Sequence, residues 1–248
     1  MKKIVFIFLF IVLIGSAYPL GEASHHGILL KDYHSITLFT QTTTMQNYDI
    51  LKDIILLPEK NFSETNASQM IDRINSIDSY ILERLREEGV QLKLFTGNLT
   101  DEPTAAYLKG KKPRGYSEDG PTWDTVPGIG GAKVVLAKIG HSEKGKGHGS
   151  VNLELHELAH SIDVVVFDSI SENPMYLSIW EKESNKLFPG RTYFTTYPEE
   201  YFAEAFAMYF LSNETRQELQ STAPLTYELF MNLKKVDSPV KYSVLSTF

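Results

Sequence analysis

His156-Glu157-Leu158-Ala159-His160 is the stretch around which the rest of this chain is read. On a helix, residues four apart lie nearly above one another, so His156 and His160 present both imidazoles to one ion. Glu157 follows the first histidine by one residue, which sets its carboxylate beside a metal rather than on it. From there it can take a proton from water, while zinc lowers the pKa of that water towards about 7 and polarises a carbonyl as a Lewis acid. A positioned general base contributes typically about 10²–10⁴-fold. Such a pattern arises by accident in roughly one chain per hundred, the competing reading being two solvent-facing histidines, so its surroundings decide.

Those surroundings are helical. Leu155, Leu158, Ala159, Ile162 and Val166 form one apolar face of a helix predicted from Val151 to Phe167, with Ser150 as its N-cap. A catalytic zinc takes three protein ligands and keeps one position open. A third ligand six residues after the second histidine is excluded, because that position is Val166. Asp163, three residues after His160, suits a supporting carboxylate that orients a ligand imidazole. Tyr197-Pro-Glu-Glu-Tyr-Phe-Ala-Glu204 carries three more carboxylates. Glu200 and Glu204 share a helix face, whereas Glu199 points about 100° away. Glu199 and Glu200 suit a helix N-terminus through its dipole. Glu204 lies deeper, among Phe202, Ala203, Ala205, Phe206 and Ala207, and a carboxylate there needs a partner. Glu200 is the preferred ligand and Glu204 its supporting carboxylate, although spacing alone leaves the order open.

Around this segment the chain reads as α+β. Met70, Ile71, Ile74, Ile77, Ile81, Leu82 and Leu85 recur at helical spacing until Gly89 ends the run. Val90–Phe95 alternates apolar and polar and reads as a half-exposed strand, and Val134–Ile139 reads as a second strand. Residues 97–131 read as loop, with Trp123 standing out in it, and 140–149 as a second loop. Helices are expected over Met175–Leu187 and from Pro198 to Leu211, Pro198 sitting well at a first helical position. Strands come first and helices after, with the metal-site helix between them.

The chain has 248 residues and a formal net charge of −7, which fits one domain and argues against a nucleic-acid partner. Lys2 and Lys3 precede an apolar run from Ile4 to Ile14 and then Gly15, Ser16 and Ala17, the order of a secretory signal peptide. As a helix that run spans about 16 Å against about 30 Å of hydrocarbon, too short for an anchor. The expected organisation is a signal peptide over 1–24 and a zinc metalloprotease domain over 25–248, secreted, extracellular and monomeric, with no membrane span once the signal is removed. With no cysteine in the chain, the exported domain relies on core burial rather than disulfides.

Four segments together resemble a known family: Trp123-Asp-Thr-Val-Pro-Gly-Ile-Gly-Gly131, Lys144-Gly-Lys-Gly-His148, Asn152-Leu-Glu-Leu-His-Glu157 and Tyr197-Pro-Glu-Glu-Tyr-Phe-Ala-Glu204. They are similar, in the same order, to the secreted bacterial Pro-Pro endopeptidases, relatives of the anthrax lethal factor protease domain. The resemblance implies a zincin-like fold with a small twisted sheet, an active-site helix and a helical C-terminal half. It implies one zinc per chain held by His156, His160 and Glu200, Glu157 as base, and hydrolysis between two prolines of cell-surface or secreted proteins. It also points to Tyr193, seven residues before the third ligand, as the phenol that stabilises the oxyanion, with Tyr197 as the second choice.

Aromatic walls suit proline rings. Trp123 and Tyr116 are the expected walls, and Gly130 and Gly131 belong to the expected substrate loop. Glu199, paired with Arg114, and His148 complete the substrate-binding set. Two alternatives remain: a lethal-factor-like protease with a different target, and a non-catalytic surface-binding module that kept the fold.

Overall fold

Residues 27–114 and 119–233 are described by the computed structural model. The expected signal peptide and Tyr116 lie outside the described residues. Five strands form one mixed sheet: β1 (Ile28–Leu29), β2 (Ile55–Leu57), β3 (Gln91–Phe95), β4 (Gly128–Ile129) and β5 (Val134–Lys138). Their spatial order is β1-β2-β3-β5-β4. The three inner strands run parallel and both edge strands antiparallel. Burial explains the inner strands: every residue from Leu92 to Phe95 and from Val135 to Ala137 is buried, Lys93 through an ion pair with Glu102. That continuous burial is the mark of strands covered on both faces, so β3 is not the half-exposed strand its alternation suggests: its polar Lys93 is buried against Glu102.

Helices α1 (Ile36–Thr42) and α2 (Tyr48–Ile54) precede β2, and α3 (Glu64–Asn75) and α4 (Ser79–Glu87) cross over from β2 to β3. The apolar period from Met70 to Leu85 therefore belongs to two helices rather than one continuous one. The chain breaks at Ser76–Asp78 because Asn75 Oδ1 accepts from the Asn47 N–H and Ser76 Oγ donates to the Phe210 carbonyl. Asn47 Nδ2 also donates to the Asn75 and Ile77 carbonyls at 2.9 and 3.2 Å, so the backbone groups a continued helix would use are bonded elsewhere.

The active-site helix α5 (Leu153–Ser161) is followed by a π-helical turn over Ile162–Val166. Its cap is Asn152, not Ser150: Asn152 Oδ1 accepts from the Leu155 N–H at 3.0 Å. The Ser150 hydroxyl is occupied by the His148 ring at 2.7 Å. The region 97–131, read as loop, contains the edge strand β4.

C-terminal to α5 come α6 (Pro174–Leu187), α7 (Thr192–Thr196), α8 (Pro198–Leu211), α9 (Asn213–Thr222) and α10 (Pro224–Leu233). Helix α8 lies against α5 and is buried from Glu200 to Phe210. Phe202, Phe206 and Phe230 pack on one another with ring centroids 5.4–6.1 Å apart. Within that buried stretch Glu200 and Glu204 are the only charged residues, and both face α5. Among the described residues no helix is long and apolar enough to cross a membrane.

Candidate metal centre and active site

Helix periodicity stacks His156 and His160 on α5, and α8 brings Glu200 against them. The two Nε2 atoms are 3.3 Å apart, and Glu200 Oε2 lies 3.3 Å from the first and 3.5 Å from the second. A tetrahedral ion with bonds of about 2.0–2.2 Å separates its ligand atoms by about 3.3–3.6 Å. The triangle therefore matches the ligand spacing of a tetrahedral divalent ion, and all three residues line one cleft. The donor chemistry agrees, since two imidazole lone pairs and a carboxylate converge on one point. Among the described residues this is the one cluster of three such groups.

Glu204 stands behind His156. Its Oε2 accepts from His156 Nδ1 at 3.2 Å, which leaves the Nε2 lone pair facing the ion position. Its Oε1 accepts from the Val151 N–H at 3.0 Å. Burial opposes a charge on His156, but hydrogen bonds to Glu200 and Glu204 outweigh it and raise its pKa to about 10 in the absence of metal. Burial likewise opposes ionised Glu200, and the two histidines carry its pKa well below the usual carboxylate range.

Glu157 sits one residue along, next to the cluster and not in it. Burial raises its carboxyl above the ordinary value, against the pull of His156 and His160 and a hydrogen bond from the Gly130 N–H. Gly130 comes very close to the helix: a Cβ there would fall 1.9 Å from the Glu157 carbonyl oxygen. Gly131 follows with φ +86°, a conformation glycine adopts without steric cost. Edge strand β4 and these glycines form one wall of a cleft of about 750 Å³.

Trp123 lines the same cleft and packs beside Phe95, Leu99 and Leu136. Its loop is held by Asp124, which accepts from Thr100, Thr122 and the Gly110 N–H and is lowered to about 2 by them.

Tyr193 Oη donates to Glu200 Oε1 at 2.7 Å, and burial followed by the Glu200 charge raises its pKa. Arg114 bridges Glu199 at 2.6 Å and Glu200 at 3.2 Å, and stacks over the Tyr197 ring at 4.0 Å. His148 reaches the cleft, but both ring nitrogens are engaged at its rim, by Ser150 Oγ and the His141 carbonyl. Asp163 lines the cleft near His160, and its Oδ1 and Oδ2 accept from the Ser171 N–H and hydroxyl, which ties down the turn after the π-helix.

Arg191 is a cleft residue the sequence did not announce. It donates to the Gly149 carbonyl at 2.9 Å, stacks on Phe194 at 4.3 Å and faces Glu204 Oε1 at 3.6 Å. Nothing local marks its polar role, because Gly149 and Glu204 come from other parts of the chain.

A mixed sheet with its edge strand along the cleft, a helix presenting two histidines and a base, and a second helix supplying a carboxylate define a zincin-like metallopeptidase. A family model described as anthrax toxin lethal factor, N- and C-terminal domain, matches residues 41–233. A Pro-Pro endopeptidase of Clostridioides difficile (strain 630) is 45% identical over 194 residues, covering 78% of this chain and 87% of that protein. Another, from Paenibacillus alvei, is 42% identical over 196 residues, covering 79% and 90%. A solved structure of the Paenibacillus alvei Pro-Pro endopeptidase superposes with a TM-score of 0.71 at 43% identity, over 74% of this chain and 99% of that one. The chain belongs to the anthrax toxin lethal factor family, alongside these Pro-Pro endopeptidases.

Proposed function

We propose that this protein is a secreted zinc endopeptidase that hydrolyses the bond between two prolines in cell-surface or extracellular proteins. The observation that carries the reading is the triangle of His156, His160 and Glu200, with Glu157 beside it at the floor of a cleft walled by Gly130 and Trp123. Residues 1–24 serve as the export signal, 25–248 as a monomeric protease domain, and the substrates are proline-rich proteins.

His156, His160 and Glu200 would hold the ion. Zinc supplies Lewis acidity there, polarising a carbonyl and acidifying water enough for reaction near neutral pH. Glu157 accepts the proton of the attacking water and passes it to the nitrogen of the leaving proline, which is a secondary amine and needs one. Tyr193 leaves Glu200 Oε1 and donates its phenolic hydrogen bond to the oxygen that becomes negative at the attacked carbon. Glu204 keeps His156 in the tautomer that presents Nε2. Trp123 packs on a pyrrolidine ring, and Arg114 with Glu199 borders the cleft beside Tyr193. The test is mass spectrometry of a peptide library with a central Pro-Pro pair, with and without chelator. Cleavage between the prolines that stops with chelator, returns with zinc and is abolished in Glu157→Ala is expected. Chelator-sensitive cleavage elsewhere, with none between prolines, would overturn the specificity, and turnover by Glu157→Ala would overturn the mechanism.

A further inference from the structure

Ser161 is a fully buried hydroxyl that the chemistry above does not use. It follows His160 on α5 and points at the cleft wall. Its Oγ accepts from the Gly131 N–H at 3.0 Å and donates to the Ala132 carbonyl at 2.7 Å. Donor and acceptor are thus both spent on consecutive residues of one loop. That loop needs an anchor: β4 pairs with β5 through Gly128 and Ile129, and the ladder stops before Gly130. Yet Gly130 must rest on the Glu157 backbone, where a Cβ would meet the carbonyl oxygen at 1.9 Å.

We propose that Ser161 is a positioning residue for peptide hydrolysis, which fixes the Gly130-Gly131 wall before substrate arrives. The proposal rests on the endopeptidase reading above. An ordinary extended peptide would help to order an edge strand by pairing with it. Prolines lack the N–H that such pairing uses, so a Pro-Pro substrate brings less order of its own and the wall must be held from within. Ser161 does this from the same helix that carries the ligands and the base, so the wall and the reacting groups share one rigid support.

The test is Ser161→Ala in the zinc-loaded protein, a change that removes one oxygen and fills no space. Metal retention against chelator is expected to match the parent. Amide exchange at Gly131 should accelerate up to about tenfold, the scale of one lost hydrogen bond. KM for a Pro-Pro peptide should rise about fivefold with kcat within twofold, since the wall binds substrate and Glu157 stays on its helix. Unaltered exchange at Gly131 overturns the anchoring. Faster exchange with KM unchanged leaves Ser161 a purely structural residue and overturns the positioning role. A parent protein that cleaves no Pro-Pro peptide overturns the endopeptidase reading instead, and the exchange measurement separates the two failures.

Discussion

Replacing Gly130 by alanine tests how closely the cleft wall must approach the active-site helix. The new Cβ would lie 1.9 Å from the Glu157 carbonyl oxygen and 2.8 Å from its carbon, and real Cβ contacts essentially never fall under 3.0 Å. Both atoms are backbone, so no side chain can swing away, and the wall must retreat by about 1 Å or more. A displacement of that size is worth on the order of 10²-fold in rate when it misplaces reacting groups. The expected result is a fall of about 10²-fold in kcat/KM and about 1–3 kcal/mol in stability, which for a domain of this size is about 2–4 °C in Tm per kcal/mol.

Gly131→Ala is the control. Its nearest non-neighbouring atom is His160 Cβ at 4.0 Å, and only its φ of +86° is strained, at about 1–2 kcal/mol. It should lose comparable stability and far less activity. Steady-state kinetics on a Pro-Pro peptide and thermal unfolding of the three proteins decide the matter. Gly130→Ala within threefold of the parent, or Gly131→Ala equally impaired, would refute the close-approach argument.

Three further outcomes follow from the same geometry. Glu204→Gln keeps a hydrogen-bond acceptor for His156 Nδ1 but removes the buried charge. Zinc affinity, read by competition with a chelator, should fall about 10–100-fold. Arg73 donates to the fully buried Glu154 at 2.5 Å and to Ser142 at 2.7 Å, tying α3 to the first turn of α5. Arg73→Met should destabilise by about 3 kcal/mol, the lower end of the range for breaking a buried pair because Arg73 is a quarter exposed. Denaturant titration checks it, and a loss under 1 kcal/mol would count against the pair. Asp124 has a folded-state pKa lowered to about 2 from 3.8. Its contribution to stability is therefore present above pH 3.8 and lost as pH falls towards 2. The Tm difference between the parent and Asp124→Asn should narrow across that interval, and a difference as large at pH 2 as above pH 5 would contradict the assignment.

What the sequence determined by itself is what short-range periodicity controls. His156, Glu157 and His160 lie within one turn and a fraction of helix, so their relative placement was legible as soon as the helix was. Glu200 and Glu204 stood out because charged side chains on an apolar helix need partners, and the two strands Val90–Phe95 and Val134–Ile139 declared themselves by composition. The tertiary structure alone decided everything that spans elements. It turned Glu200 towards both Nε2 atoms and Glu204 towards Nδ1, a distinction that spacing could not make because the orientation of α8 against α5 sets it. Asp163 bonds Ser171, a partner that regular helical spacing does not supply, because a π-helical turn follows α5. Asn152 took the cap because Ser150 was engaged by His148. Ser161 and Arg191 carry no local signature at all. Their hydrogen-bond partners lie some 30 and 40 residues away, and contacts at that range exist only once α5 has met the β4–β5 loop and Arg191 has met the loop before α5.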